Sequence, residues 1–253
     1  MNPTLVGAMV FLCTFGGALL GMWVRTLLPE QHLDADSKDT VKLGIGLIAT
    51  MSALVLGLVT ASAKSSFDAV DTAVKGAALD VLTLDRLLAR YGPETAGLRG
   101  HLRDTVAARI EMIWPKDAPQ PVSLELAKAP TQVEGLADGI RTLTPQTDAQ
   151  RALQARALDL AETLLRVRWL VSSSTVTSVP LPFLTVLVFW LVITFASFGL
   201  FAPRNGTVLA VLVVCALSVG AAVFLVLEMD GPFTGVLKVS AEPLRYAYPH
   251  LNQ

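Results

Sequence analysis

The sequence predicts an all-α integral membrane protein: four transmembrane helices, a helical soluble insert between the second and third, and an antiparallel stalk extending those two. Three observations predict it. Hydrophobic residues make up 53% of the 253 residues and charged ones only 16%, at a mean hydropathy of +0.55, a balance that water-soluble domains rarely show. Four stretches of about twenty residues carry no formal charge, and at ~1.5 Å per residue each crosses a ~30 Å hydrocarbon core. Between the second and third stretch, the continuous apolar run gives way to heptad spacing.

The first span is Leu5–Val24. No basic residue precedes it, Arg25 follows it, and its apolar run exceeds the ~7–15 residues of a secretion signal core, so it reads as retained. The second is Leu43–Ala63, completing a first hairpin over residues 1–63. The short connection between them, "HLDADSKD" at 32–39, holds His32, Asp34 and Asp36. Two readings stand: a solvated turn whose Asp or Ser caps the next helix, or a ring of acids at a pore mouth if identical chains surround an axis.

Beyond the second span, Phe67, Val70, Val74, Ala77, Val81, Leu84, Leu88 and Tyr91 recur at alternating spacings of three and four. That seam predicts one helix from about Val41 to Arg90, projecting out of the membrane, with Asp71, Lys75, Asp85, Arg86 and Arg90 on its wet face. Gly92-Pro93 ends it. A second seam, Leu153, Ala157, Leu160, Leu164, Val167 and Val171, begins at the Thr147-Asp148 cap and should pack antiparallel against the first. Leu98, Leu102, Val106, Ile110 and Ile113 mark a further helix ending near Trp114, and Val133, Leu136, Ile140 and Leu143 a shorter one. Pro115, Pro119, Pro121 and Pro130 make the segment between them a loop.

The soluble insert therefore covers 64–178, and "VSSST" at 171–175 with Pro180 and Pro182 is the elbow back into lipid. A second hairpin, 179–227, holds spans Leu181–Ala202 and Thr207–Leu227, and an interfacial tail covers 228–253. Four spans put both termini and the insert on one side. The basic residues nearest the membrane on that side are Lys64, Lys75, Arg166, Arg168, Lys238 and Arg245, against Arg25, Lys38, Lys42 and Arg204 opposite. The excess places the insert in the cytoplasm.

Composition also narrows the function. Net charge is −1, and the 14 basic residues between Lys64 and Arg168 are balanced by 14 acidic ones, leaving no basic face for nucleic acid. His32, His101 and His250 are scattered, while Cys13 and Cys215 lie inside spans, so no metal spacing is present. The catalytic and cofactor motifs HExxH, GxSxG, the phosphate loop and the dinucleotide fingerprint are missing, and neither an enzyme nor a cofactor is expected.

Two constellations remain. Along the second span, Gly46, Thr50, Ala53, Gly57, Thr60 and Lys64 form one small, mildly polar stripe. Small residues let helices approach closely in lipid, and they equally suit the wall of a narrow conduit, with Lys64 as a charged ring at its exit. The last span ends in "EMDG", where Glu228 and Asp230 sit beside the negative end of the helix dipole and call for cationic partners. Gly231 is the expected C′ residue and Pro232 the stop. The acids read as a solvated interfacial pair, as one half of an ion cluster with Lys238, Arg245, Arg166 and Arg168, or as part of a transport or proton path. Ser240 is a plausible cap for a short tail helix docked on the interface or the stalk.

"LPEQHLDADSKDTVKLGIGLIATMSALVLGLVTASAKSSFD" at 28–68, with "FASFGLFAPRNGTVLAVLVVCALSVGAAVFLVLEMDGPFTGVLKVSAEPLR" at 195–245, resembles the bacterial bestrophin-like membrane proteins, EMDGPFTG being the most specific part. The family is named after bestrophins, which are homopentameric anion channels with four membrane segments per subunit and cytoplasmic termini. The resemblance implies a bacterial inner membrane location, a homo-oligomer, possible pentameric symmetry and anions as the permeating species. The clustered acids of the bestrophin calcium clasp have no counterpart, so no calcium ligand is implied.

These readings lead to a homo-oligomeric pore with the second span lining its axis. A membrane-anchored interaction or signalling protein, whose insert binds a partner, is the alternative from another class. A lipid enzyme using the interfacial acids is a third.

Overall fold

A computed structural model of the chain describes residues 2–28, 35–115, 132–173, 181–203 and 205–253. Every regular element among them is helical: α1 (Pro3–Val24), α2 (Ala35–Tyr91), α3 (Ala96–Ile113), α4 (Gln132–Arg141), α5 (Asp148–Ser173), α6 (Leu181–Phe201), α7 (Gly206–Met229) and α8 (Glu242–Ala247), with short 3-10 turns at Pro93–Thr95 and Tyr248–His250. Four helices are long and apolar enough to cross a membrane: α1, α2, α6 and α7. The chain divides into two compact units, one of Met1–Ser65 with Ser178–Asp230, the other of Ser66–Thr177 with Gly231–Gln253.

In the first unit, α1 starts at Pro3, whose missing N–H costs nothing there, with the Asn2 side chain accepting from the Thr4 N–H at 3.1 Å. Asn205 caps α7 in the same way, accepting from the Val208 N–H at 2.8 Å. Val6, Val10 and Val223 form one core, and Ala18, Phe195, Leu212 and Ala216 another. Glycines allow this packing. A Cβ on Gly21 would lie 1.8 Å from the Ala196 carbonyl oxygen, and one on Gly199 1.9 Å from that of Ala18, so α1 and α6 meet backbone to backbone.

The second unit carries two apolar clusters. Val81, Leu84 and Leu88 of α2 pack with Leu102 and Val106 of α3, Leu136 and Ile140 of α4, Ala157 and Ala161 of α5, and Leu251. Val70, Val74 and Ala78 pack instead with Phe233, Val239, Leu244 and Ala247 of the tail. The first expected seam is buried from Val70 to Tyr91, with Phe67 half-buried; of the second, Ala157 is buried, Leu153, Leu160, Leu164 and Val167 are half-buried, and the Val171 side chain lies outside the described residues. Gln150, in the first turn of α5, donates to the backbone oxygen of Tyr91 at the end of α2 at 3.0 Å. Gly92 at φ 149° makes the turn into α3, and Thr95 closes it by donating to the Leu88 carbonyl oxygen at 2.5 Å.

Three expectations change in detail. The second helix begins at Ala35, not near Val41. Its first turns hold Asp36 and Asp39, which favour the positive end of the helix dipole, and Asp39 pairs with Lys42 at 3.0 Å. Asp85, expected on the wet face, is 0% exposed. Gly231 is not the left-handed residue after α7; that is Gly235, at φ 84°. The turn is closed by the Thr234 N–H donating to the Gly231 oxygen at 3.0 Å, and a Cβ on Gly231 would meet the Thr234 hydroxyl at 2.8 Å.

The tail is docked within its unit, as expected. Glu242 N–H donates to Ser240 Oγ at 3.1 Å, Trp114 Nε1 donates to the Val239 oxygen at 2.9 Å, and Arg103 lies 5.2 Å above the Tyr248 ring.

Burial pushes the Asp80 carboxyl of α2 above its ordinary range. A raised carboxyl pKa means that the folded state holds its proton more tightly than the unfolded chain. Its effect on stability is therefore most favourable below the ordinary range near ~4 and is lost as pH rises through the raised value. Asp80→Asn should accordingly raise the melting temperature of the detergent-solubilised protein at pH 7, with the gain shrinking at pH 4. Melts recorded at both values check this.

Candidate functional site

The membrane half of α2 has one face turned to its own unit and two that are not. Ser52 and Ala63 are buried, and Leu56 and Val59 line a small apolar cavity with Leu187 of α6 and Val223 of α7. These four positions follow a 4-3-4 spacing, one side of a helix. Ala63 and Val226 form the packed contact at its end, with Val59 and Met229 against them. In the most apolar stretch of α2 only 6% of residues are buried, against 39% in α1.

The small stripe lies outside this packed face. Gly46, Thr50, Ala53, Gly57 and Lys64 are exposed and Thr60 is half-buried. A Cβ built on Gly44, Gly46 or Gly57 meets nothing within 4 Å, the reverse of Gly21 and Gly199. The Thr50 hydroxyl donates to the Gly46 oxygen at 2.8 Å and that of Thr60 to the Leu56 oxygen at 2.7 Å, so both protons are used inside the helix. What the stripe presents is bare backbone, methyl groups and hydroxyl oxygens.

Beside it, about 100° around the helix, stands a large apolar face made of Leu43, Leu47, Met51, Leu54 and Leu58, with Leu43 78% and Leu54 72% exposed. Leucines of this kind are at home against lipid or another apolar helix. Exposed glycines are harder to account for, because each costs a helix up to ~1 kcal/mol relative to alanine.

The predicted charge cluster divides between the units. Glu228, 3% exposed, lies in the last turn of α7, and Asp230 is that helix's C-cap. Arg166, Lys238 and Arg245 are exposed side chains of the other unit, and the Arg168 side chain lies outside the described residues. His32 and Asp34 of the mouth loop also lie outside them; Asp36 falls in the first turn of α2, its side chain likewise not described.

The strongest charged site in the second unit was not expected. Asp85 accepts two bonds from the Arg99 guanidinium, at 2.8 and 2.9 Å, and a third from the Asn252 N–H at 3.2 Å. Arg99 also donates to the Gln253 backbone oxygen at 2.9 Å. The hydrogen bonds that Arg99 donates to Asp85 are the main cause of an Arg99 pKa held above its ordinary value, so the guanidinium stays charged. The sequence held a signal for this pair. Asp85 is four residues after Val81 and three before Leu88, on the seam's own side, and an arginine follows across the Gly92 turn.

Among the described residues, no group of His, Cys, Asp or Glu is placed to hold a metal ion. The features that stand out among the described residues are an uncovered helix face and a structural ion pair.

Comparison with known proteins agrees with the architecture. A sequence profile described as a bestrophin-like domain matches residues 12–244. No curated protein sequence matches the chain. Among solved structures, a bacterial bestrophin homolog from Klebsiella pneumoniae, phased from zinc, is similar with a TM-score of 0.65 at 15% identity, covering 97% of this chain and 95% of that one. Two single-substitution variants from the same organism give 0.64 at 15% identity, over 96% and 95% of the two chains, and 0.61 at 17%, over 97% and 96%. At such identities the likeness shows a shared fold.

Proposed function

The chain belongs to the bestrophin-like family of membrane proteins, and from that premise we propose that identical copies surround an axis lined by α2 and that the assembly conducts anions. The observation that supports this is the bare α2: a helix long and apolar enough to span a membrane, which the described residues of its own chain cover on one side only, with glycines facing open space. A lone chain would leave those glycines against lipid, where they stabilise nothing. Around a symmetry axis they give a narrow wall, with Lys64 at its end attracting anions. Bestrophins, the namesakes of the family, are anion channels, which supports the choice of ion. The positive-inside bias supports a bacterial inner membrane with the second unit in the cytoplasm.

The test is oligomeric mass in detergent followed by chloride efflux from liposomes. We expect an oligomer that conducts, at least a ~10-fold loss of flux in Gly57→Trp, and unchanged flux in Leu217→Trp, whose site on α7 is exposed and outside α2. Lys64→Ala should lower chloride flux several-fold. A monomer, or sealed vesicles with wild-type protein, would overturn the pore and favour a membrane-anchored interaction protein instead.

A further inference from the structure

We propose that the groove between α6 and α7, at the end of these helices where one connects to the other, holds an acyl chain of an anionic phospholipid whose phosphate is bound by Arg25. The inference does not depend on whether the assembly conducts.

The groove measures about 310 Å³, within the ~300–1,000 Å³ of small-molecule sites. Phe198 of α6 and Val208, Val211, Leu212 and Cys215 of α7 line it, so its interior is apolar. From Thr207 at its mouth to Cys215 it follows α7 for ~12 Å, eight residues of helical rise. That direction runs from the headgroup zone into the hydrocarbon. It is the path an acyl chain takes.

The mouth carries the complementary charge. Arg25 is the C-cap of α1, and its Nη1 donates to the carbonyl oxygen of Ala202, itself a lining residue of the groove. A guanidinium has five N–H donors in a planar fork, and the bond to Ala202 uses one of its nitrogens. Among the described residues the others have no acceptor, and they suit a phosphate in the bidentate manner that arginine favours. Trp23, 60% exposed two residues earlier, is a side chain suited to the headgroup layer. The first turn of α7 adds partial positive charge of the same sign. A zwitterionic headgroup brings its own ammonium to the phosphate, whereas phosphatidylglycerol leaves the negative charge for the protein to neutralise. Charge complementarity thus selects the anionic lipid.

Native mass spectrometry of the full chain in detergent, supplemented with dioleoyl phosphatidylglycerol or dioleoyl phosphatidylcholine, tests this. The wild type should retain phosphatidylglycerol on the order of 10-fold better than phosphatidylcholine. Arg25→Gln should bring the two to parity. That variant also removes the bond to Ala202, so Val211→Trp, which fills the groove and leaves Arg25 in place, supplies an independent arm: retention of both lipids should fall several-fold at unchanged oligomeric mass. Equal retention of the two lipids by the wild type would overturn the proposal, as would a Val211→Trp protein that binds like the wild type. So would a Val211→Trp protein that loses oligomeric mass, because the groove would then be covered by a neighbouring copy.

Discussion

Gly199→Ala should lower the melting temperature of the membrane bundle, while Gly16→Ala leaves it unchanged or raised. Each variant adds a single Cβ to a helix. At Gly199 that atom would fall on the Ala18 carbonyl oxygen, well inside the 3.4 Å at which ordinary contact begins, so the two backbones must move apart. Neither partner can rotate away, because the obstacle is backbone. Separation would loosen the Ala18, Phe195, Leu212 and Ala216 cluster, where forced overpacking typically costs ~1–3 kcal/mol and the gaps opened beside it add to that. At Gly16 a Cβ meets nothing within 4 Å, so alanine should gain up to ~1 kcal/mol of helix propensity. Thermal melts and the monodisperse fraction on size exclusion, measured for both variants in one detergent, check the contrast. Equal melting temperatures would show that α1 and α6 do not meet as described.

Asp85→Ala should destabilise the second unit by ~3–5 kcal/mol, the usual consequence of leaving one member of a buried ion pair unpaired. Arg99 keeps its charge, at 14% side-chain exposure, and loses both carboxylate bonds. The Asn252 N–H loses its acceptor at the same time. Amide exchange at residues 251–253 should therefore accelerate along with the fall in melting temperature. The cost comes from breaking the pair rather than from lacking it, so Asp85→Leu with Arg99→Met should recover most of the stability. A double variant as unstable as the single one would mean that the pair itself, not the desolvated orphan, holds the tail.

The membrane architecture was legible because lipid imposes so strong a rule. A segment crossing hydrocarbon must satisfy its backbone internally and hide its charges, so Leu5–Val24 or Thr207–Leu227 announces itself by composition alone. The stalk was legible for a similar reason: Val74, Val81, Leu84 and Leu88 repeat at a period only a helix seam uses, and they are buried. Asp85 reads as solvent-facing from its charge alone, because the partner that neutralises it lies fourteen residues away across a turn. Heptad position was the better guide there, since it places Asp85 beside the buried valine and leucine.

The candidate face on α2 was readable as a stripe but not in its meaning. Gly21 and Gly57 look alike in sequence, each a glycine inside an apolar span. One touches a neighbouring backbone and the other meets empty space. The sequence by itself determined the four spans, the long α2, the helical insert and the small stripe, since each follows from local composition or period. Only the tertiary structure decided which glycines are contacts and which are bare, that Asp85 is interior, and that Arg25 stands at the mouth of a groove on α6 and α7. Such facts depend on which segments distant in the chain are brought within a few ångströms, and no periodicity along one helix encodes what lies across from it.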